Sequence, residues 1–430
     1  MHEEEAETRK TPGTPPGALA DLSNRPARMV ECVVLLTTAL IVTACVSEPE
    51  LQFADWLLDV PQGATVHEYP AAPIEGRDPD AVQMTEDLVI GGDLTNPEAV
   101  LYEPGEIVAD DDGTIFVADG GAMNIKVFDA AGEFLKTVGQ EGQGPAEFGR
   151  VSQMTIAGDQ LVIYDSRNRR FSLWTLDGEH VTEHAPTTRE FFSSIEGVAN
   201  GNVVAMVNVF DPEGESRLAV VRRSTTGEDL GTVYEVTLPE TESVIERSDP
   251  RGTMQRMIDS LSEPRLSYTL TDGDHLFVTP GHEYQVLALS GAGDIGWALR
   301  VAWPRVPYSD YLKASMVESL ARVFQSEGTA QGEAAMSPDD FNWSAPYPAL
   351  RTLLTDDSGR LYVFPAVPQE GEQRPETLPV DVYSAEGEFL AAGIVPNTWR
   401  YARGEYVYGT RPDGNDELVV VRYRLSVNGQ

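Results

Sequence analysis

One phrase recurs along this chain and limits what it can become. It reads apolar strand, Asp/Gly turn, alternating strand, loop, third strand, acidic-Gly turn, fourth strand. The clearest copy is Glu106–Val138, EIVADDDGTIFVADGGAMNIKVFDAAGEFLKTV. Further copies run Val151–Glu183, Ile195–Val236, Leu266–Val301 and Leu350–Val395, and a sixth holds Trp399–Ala402, EYVYGTR and ELVVVRYRL. Apolar and polar residues alternate with period two inside each strand, as half-buried β-structure requires. The Asp-Gly, Asn-Gly and Gly-Glu pairs between strands tolerate the positive φ of tight hairpins. A four-stranded sheet cannot bury both faces alone; copies packed face to face around an axis can, and that arrangement is a β-propeller.

The sixth copy lacks its fourth strand, while Glu86–Gly91 (EDLVIG) stands as an orphan strand ahead of the first. Placed outermost in the last blade, the orphan closes the ring and removes an exposed edge. The expectation is therefore an all-β, six-bladed propeller of four-stranded antiparallel blades over residues 85–427, closed by its N-terminal strand.

The segment ahead of the repeats has a different character. Residues 1–28 are polar and carry Pro12, Pro15, Pro16 and Pro26, so nothing there builds a core. Val33–Ala44 (VVLLTTALIVTA) follows Arg25 and Arg28. It is too short for a comfortable membrane span and suits the core of a signal peptide. It ends in Val42-Thr43-Ala44-Cys45, which resembles the bacterial lipobox. That resemblance implies lipidation of Cys45 and, in a diderm cell, outer-membrane sorting, since Val46 rather than Asp follows. Simple secretion and an uncleaved anchor are the alternatives. Residues 1–45 are thus read as a polar leader with a lipoprotein-type signal, and 46–84 as a linker or N-terminal extension.

Charge narrows the partners. The chain has 69 Asp+Glu against 31 Lys+Arg, and its only lysines are Lys10, Lys126, Lys136 and Lys313. Such a surface repels nucleic acid and anionic bilayers, leaving a lipid anchor as the expected membrane contact. Cys32 and Cys45 both lie in the leader, so the body holds no disulfide, thiolate metal site or cysteine nucleophile.

Between the first two copies stands Gly142-Gln143-Gly144-Pro145-Ala146-Glu147-Phe148, a GxGPxxF phrase. With the DxxGxIFVAD pattern of Asp110–Asp119 and the VFDxxGxFL pattern of Val127–Leu135, it resembles the bacterial 6-bladed β-propeller lipoproteins, relatives of the NHL-repeat group. The likeness spans roughly residues 85–425, closest in copies one, two and five. It implies fold and export; most of that family has no assigned activity.

Loop lengths distinguish the two faces of the ring. The first–second and third–fourth strand turns are tight almost throughout. The opposite set is swollen: inter-blade links 237–265 and 303–348, and second–third strand loops 208–217 and 365–378. Two short helices are expected there. One follows Ser248-Asp249-Pro250, with Met254, Met257, Ile258 and Leu261 on one stripe; the other spans Tyr308–Gln325, capped by Ser309, with Leu312, Met316, Leu320 and Phe324 in line. Long ordered insertions on one face commonly cover a site, and these are expected to hood the channel. The alternative is that they cap exposed apolar blade surface.

The innermost strands offer Glu106, Gln153, Tyr268 and Arg351 as axial groups. One carboxylate, one amide, one phenol and one cation suit a polar funnel better than a cation cage, so no cofactor is expected, with Ca²⁺ the one left open. Of the histidines, His180 and His184 fall in an outer strand, His275 in a turn, and only His282 on the elaborated face. Asp110-Asp111-Asp112-Gly113 and Asp356-Asp357-Ser358-Gly359 read as turns held by Asx hydrogen bonds, and Asp119 and Asp165 as ties to backbone amides. Tyr308, Tyr311, Trp343, Tyr347 and Arg351 are the expected contacts. The reading is an envelope-tethered monomeric module binding a protein, peptide or glycan on the helix-bearing face. A divalent-cation-dependent hydrolase or lyase of gluconolactonase type in the channel is the rival, and a purely structural envelope protein the third option.

Overall fold

The computed structural model describes residues 57–91, 95–186, 190–209, 217–237, 244–249, 252–257, 266–271, 275–279, 281–326, 337–341, 343, 346–369, 371 and 375–429. Leader residues 1–45, Cys45 among them, lie outside the described residues.

Six sheets form the blades, five of them around four consecutive strands. Blade 1 runs from Pro104–Ala109 to Phe134–Val138, blade 2 from Val151–Ala157 to His180–His184, and blade 3 from Phe191–Gly197 to Asp229–Thr237. Blade 4 runs from Ser267–Leu270 to Ile295–Ala302, and blade 5 from Leu350–Thr355 to Phe389–Pro396. Blade 6 holds Trp399–Arg403, Tyr406–Pro412 and Leu418–Val427, and its outer strand is Val82–Ile90, antiparallel to Leu418–Val427 from Val82↔Val427 to Ile90↔Val420. The chain is a six-bladed β-propeller, sealed by its N-terminal strand as the repeat arithmetic requires.

Six apolar clusters fill the six wedges between neighbouring blades. Phe116, Val127, Phe148 and Leu161 lie between blades 1 and 2, and Val162, Phe171, Val203 and Val221 between blades 2 and 3. At the seam, Ile107, Ile115 and Phe128 of blade 1 pack on Tyr408 and Val420 of blade 6. A wedge filled on both sides leaves no blade face in water, which is why strand alternation alone can specify the ring. The third–fourth strand turn repeats one backbone device: Gly132, Gly178, Gly227, Gly293 and Gly387 all have φ between 75° and 90°. Blade 6 has no such turn, since its outer strand comes from Val82–Ile90; Asp416, at φ 62°, sits instead in its second–third strand turn, where Asp is among the few residues that tolerate it.

Three features depart from the sequence reading. Residues 57–81, within the stretch read as linker or extension, belong to the propeller. Thr65–Pro70 adds a fifth, parallel strand outside Ile295–Ala302 of blade 4. Just upstream, Leu58 is clamped at both backbone groups, its N–H donating to Gln285 Oε1 at 2.8 Å and its carbonyl accepting from Arg300 Nη2 at 3.0 Å. Downstream, Arg77 enters the sheet of blade 5. It pairs with Asp381 at 2.8 Å and donates to the carbonyl of Val380 at 2.9 Å.

The second departure is the helix expected over Met254–Leu261. Val244–Asp249 and Gly252–Met257 form a two-stranded hairpin instead, with Asp249 opposite Gly252; Ile258 and Leu261 lie outside the described residues. Asp249-Pro250-Arg251-Gly252 carries the residues a type I turn prefers at its first, second and fourth positions, and that local preference outweighs one helical stripe. The third is that a single helix, α1 (Asp310–Ser326), is therefore present among the described residues. Its N-cap is as read from sequence: Ser309 Oγ accepts from the Leu312 N–H at 3.2 Å. Leu320 and Phe324 are outside the described side chains.

Candidate functional site

The acidic residues that punctuate the repeats are structural. Asp119 Oδ1 accepts from the backbone N–H groups of Glu103, Gly121 and Ala122, and Asp165 holds those of Gly149, Arg150 and Asn168. Asp356 accepts from Ser358 N–H, Arg360 N–H and the Tyr362 hydroxyl. Each satisfies buried donors at the end of a strand, as expected of an Asx tie. The GxGPxxF phrase is likewise a brace. Gln140–Glu141 pairs with Glu147–Phe148, and Arg170 of blade 2 donates to the carbonyls of Gly144 and Glu147 at 2.7 and 2.6 Å. Gly139, at φ 71°, leaves room for the Phe148 ring, which a Cβ would meet at 2.2 Å.

The four axial candidates lie on the inner strands of four separate blades. Glu106 lies half-buried on the inner strand of blade 1, and burial pushes its carboxyl up to about 7, with Arg400 of blade 6 pulling the other way. Gln153 lies half-buried on the inner strand of blade 2. Tyr268 is a correction: it turns into the wedge between blades 3 and 4, where its hydroxyl donates to the Val204 carbonyl at 2.9 Å. Leu270 shares its parity and cluster, so the whole side of that strand faces blade 3 rather than the axis. Arg351 is exposed at the start of the inner strand of blade 5.

Sequence reading missed the most perturbed carboxyl on the inner strands. Burial pushes the carboxyl of Glu196 in blade 3 up to about 8, and it accepts from the Leu270 N–H at 2.9 Å. It is the single charged residue of Phe191–Gly197, which was the available signal. A bulge between Phe192 and Ser194 obscured the register that aims it at blade 4.

The elaborated face does contain a cavity. A groove of about 910 Å³ lies over blade 5, beneath Leu312 and Met316 of α1. Arg351 and Tyr347 line it, together with Pro365, Val367 and Leu378. Trp343 stands behind it. Its ring packs on Tyr308 at 5.3 Å and its indole N–H donates to the Pro338 carbonyl at 2.8 Å. Tyr308 is buried against both Trp343 and Tyr347, so it fixes one wall of the groove. The groove thus joins three of the predicted contacts, Tyr308, Tyr347 and Arg351, and leaves Glu106, Gln153 and Tyr268 elsewhere.

Blade 5 is opened beneath this cavity. The ladder between its second and third strands pairs Leu361↔Tyr383, Tyr362↔Val382 and Val363↔Asp381 and goes no further. Phe364–Pro365 and Thr377–Val380 continue without pairing to each other, although Thr377–Val380 stay paired to the outer strand. Pro365 and Pro379 flank the split; proline cannot donate to a ladder, which accounts for the divergence. A second cavity, of about 830 Å³, lies among the tight turns between blades 4 and 5, with Trp297, His67 and Asp294 in its lining. Among the described residues no three His, Cys, Asp or Glu side chains converge as a metal site.

Comparison with known proteins agrees with the architecture. A family model described as a 6-bladed beta-propeller matches residues 94–203. Similar solved structures include bacterial propeller proteins. A Bacteroides fragilis NCTC 9343 protein called exported superposes with a TM-score of 0.50 at 11% identity, over 84% of this chain and 99% of that one. A DUF4221-family member from Bacteroides vulgatus ATCC 8482 has the same score and identity, over 81% and 100%. These likenesses speak to the fold alone. No curated protein matches the chain in sequence.

Proposed function

We propose that this propeller is an exported, envelope-tethered binding module whose ligand lies in the groove between blade 5 and α1. The observation that carries the reading is the groove itself: about 910 Å³ of concave, mostly apolar space, walled by an insertion, with Arg351 the one cation among its described lining residues. Its size sits near the top of the range of about 300–1,000 Å³ usual for ligand sites, and its mix of apolar wall and sparse polar groups is that of a recognition pocket. The export signal supports the tether, with Cys45 as the lipidated residue. Metabolic labelling with a fatty-acid probe is expected to tag the wild-type chain and not Cys45→Ser.

The binding claim is tested by thermal shift against peptides, oligosaccharides, and sugar acids and lactones, each with and without Ca²⁺. A ligand at 100 times its Kd stabilises the folded form by about 2.7 kcal/mol. Stabilisation by a peptide or oligosaccharide, independent of Ca²⁺, is expected. Val367→Trp should abolish it; Val367 lines the groove and is 42% exposed, so the fold tolerates the change. Ca²⁺-dependent stabilisation by a sugar acid or lactone, unaffected by Val367→Trp, would instead point to a hydrolase or lyase.

A further inference from the structure

Most buried or half-buried arginines described in this acidic chain are committed to carboxylates: Arg77 to Asp381, Arg170 to Glu183, Arg223 to Glu190, Arg360 to Asp356 and Arg422 to Asp87. Arg351 is different. Its guanidinium makes one long hydrogen bond, Nη2 to Asn397 Oδ1 at 3.4 Å, and no ion pair among the described residues. It lines the groove beside Leu350, Pro365 and Leu378. In a chain with 69 Asp+Glu, an exposed arginine at a mostly apolar groove is the feature that most limits the ligand. Its planar fork takes a carboxylate through two parallel N–H···O bonds.

The shape of the site names the rest of the ligand. The second and third strands of blade 5 stop pairing after Val363↔Asp381, so the groove floor lies between two extended strands rather than over a closed sheet. An extended polypeptide can lie along such strands, taking main-chain hydrogen bonds from unpaired strand groups and placing side chains against alternate walls. A hydrocarbon chain would gain nothing from those groups. Running inward, the groove reaches the inner strand at Arg351, which is placed to receive a chain end.

We propose that the groove receives the carboxy-terminal segment of an extended, largely apolar peptide, with the terminal carboxylate paired to Arg351. This rests on the groove being the ligand site. The test separates the two ideas by equilibrium dialysis of the full-length protein against mixed hexapeptides of Pro, Val, Leu and Tyr. One set has free carboxy-termini, one is amidated, and one is amidated with an internal Glu; decanoate is the fourth probe. Free-acid peptides are expected to bind at least tenfold more tightly than either amidated set. Arg351→Gln should erase that preference without weakening the amides, Arg351→Lys should restore part of it, and Val367→Trp should abolish binding of all sets. Equal binding of acid and amide, or a preference that survives Arg351→Gln, overturns the proposal while sensitivity to Val367→Trp keeps the groove reading. Peptide binding that ignores Val367→Trp sinks both. Preference for the internal Glu set, binding of decanoate alone, or binding of none of the probes also overturns the carboxy-terminal assignment.

Discussion

Arg77→Ala is expected to destabilise the propeller by about 3–5 kcal/mol, seen as a lower urea midpoint with an unchanged slope. The residue lies in a stretch with no repeat character, yet its side chain is 1% exposed and its partner Asp381 2% exposed. Removing the guanidinium leaves the Asp381 carboxyl buried, supported only by the Tyr284 hydroxyl at 2.7 Å. It also strands the carbonyls of Val380 and Gly393, which Arg77 caps at 2.9 and 3.4 Å. Loss of one partner from a buried pair costs far more than loss of both. Arg77→Met combined with Asp381→Asn should therefore recover part of the deficit. A loss under 1 kcal/mol for Arg77→Ala would mean that residues 71–81 do not dock on blade 5 as described.

The second large effect concerns pH. Burial raises the carboxyl of Glu106 to about 7 and that of Glu196 to about 8, from an ordinary 4.5. The folded state thus holds these protons more tightly than the unfolded chain. Their contribution is fully present below about pH 4.5 and is lost as pH rises through 7 and 8. At about 1.4 kcal/mol per pKa unit, the two shifts correspond to about 3–5 kcal/mol each, which solvent screening of these half-buried side chains lowers to about 2–4 kcal/mol. Glu196→Gln keeps an acceptor for the Leu270 N–H and removes the ionisation. It should match wild type at pH 4.5 and exceed it by about 2–4 kcal/mol at pH 8.5 in urea titrations. The self-repulsion of a chain with formal net charge −38 grows with pH in both proteins and largely cancels in the difference. Parallel curves for wild type and variant across that range would show that Glu196 is solvated and ionised in the native state.

The two sites differ in how far sequence reveals them. Strand alternation and acidic-Gly turns are local signals, repeated six times, so copy number, blade order and closure by Val82–Ile90 could be counted. The face bearing the insertions followed from loop lengths, and Tyr347 and Arg351 from their places beside those loops. The parallel strand Thr65–Pro70 and the docking of Arg77 were not legible. Both depend on partners more than two hundred residues away, and neither carries a period of its own. Tyr268 and Glu196 failed or escaped for one reason. On an inner strand, one residue of register decides between axis and wedge, and a bulge such as that between Phe192 and Ser194 shifts it. The hairpin at Val244–Met257 shows a turn signature overriding helical spacing, because one short stripe specifies a helix only weakly.

Closure of the ring is open to direct measurement. Gln83 of the N-terminal strand faces Ser426 of the last strand across the seam. Opposed antiparallel residues have Cα atoms about 4.5–5.5 Å apart, within the range a disulfide spans. Gln83→Cys and Ser426→Cys, in a chain with Cys32 and Cys45 replaced by Ser, should oxidise to a single intramolecular disulfide in the folded state. A folded protein that keeps both thiols free under oxidising conditions would contradict the sealed six-bladed ring.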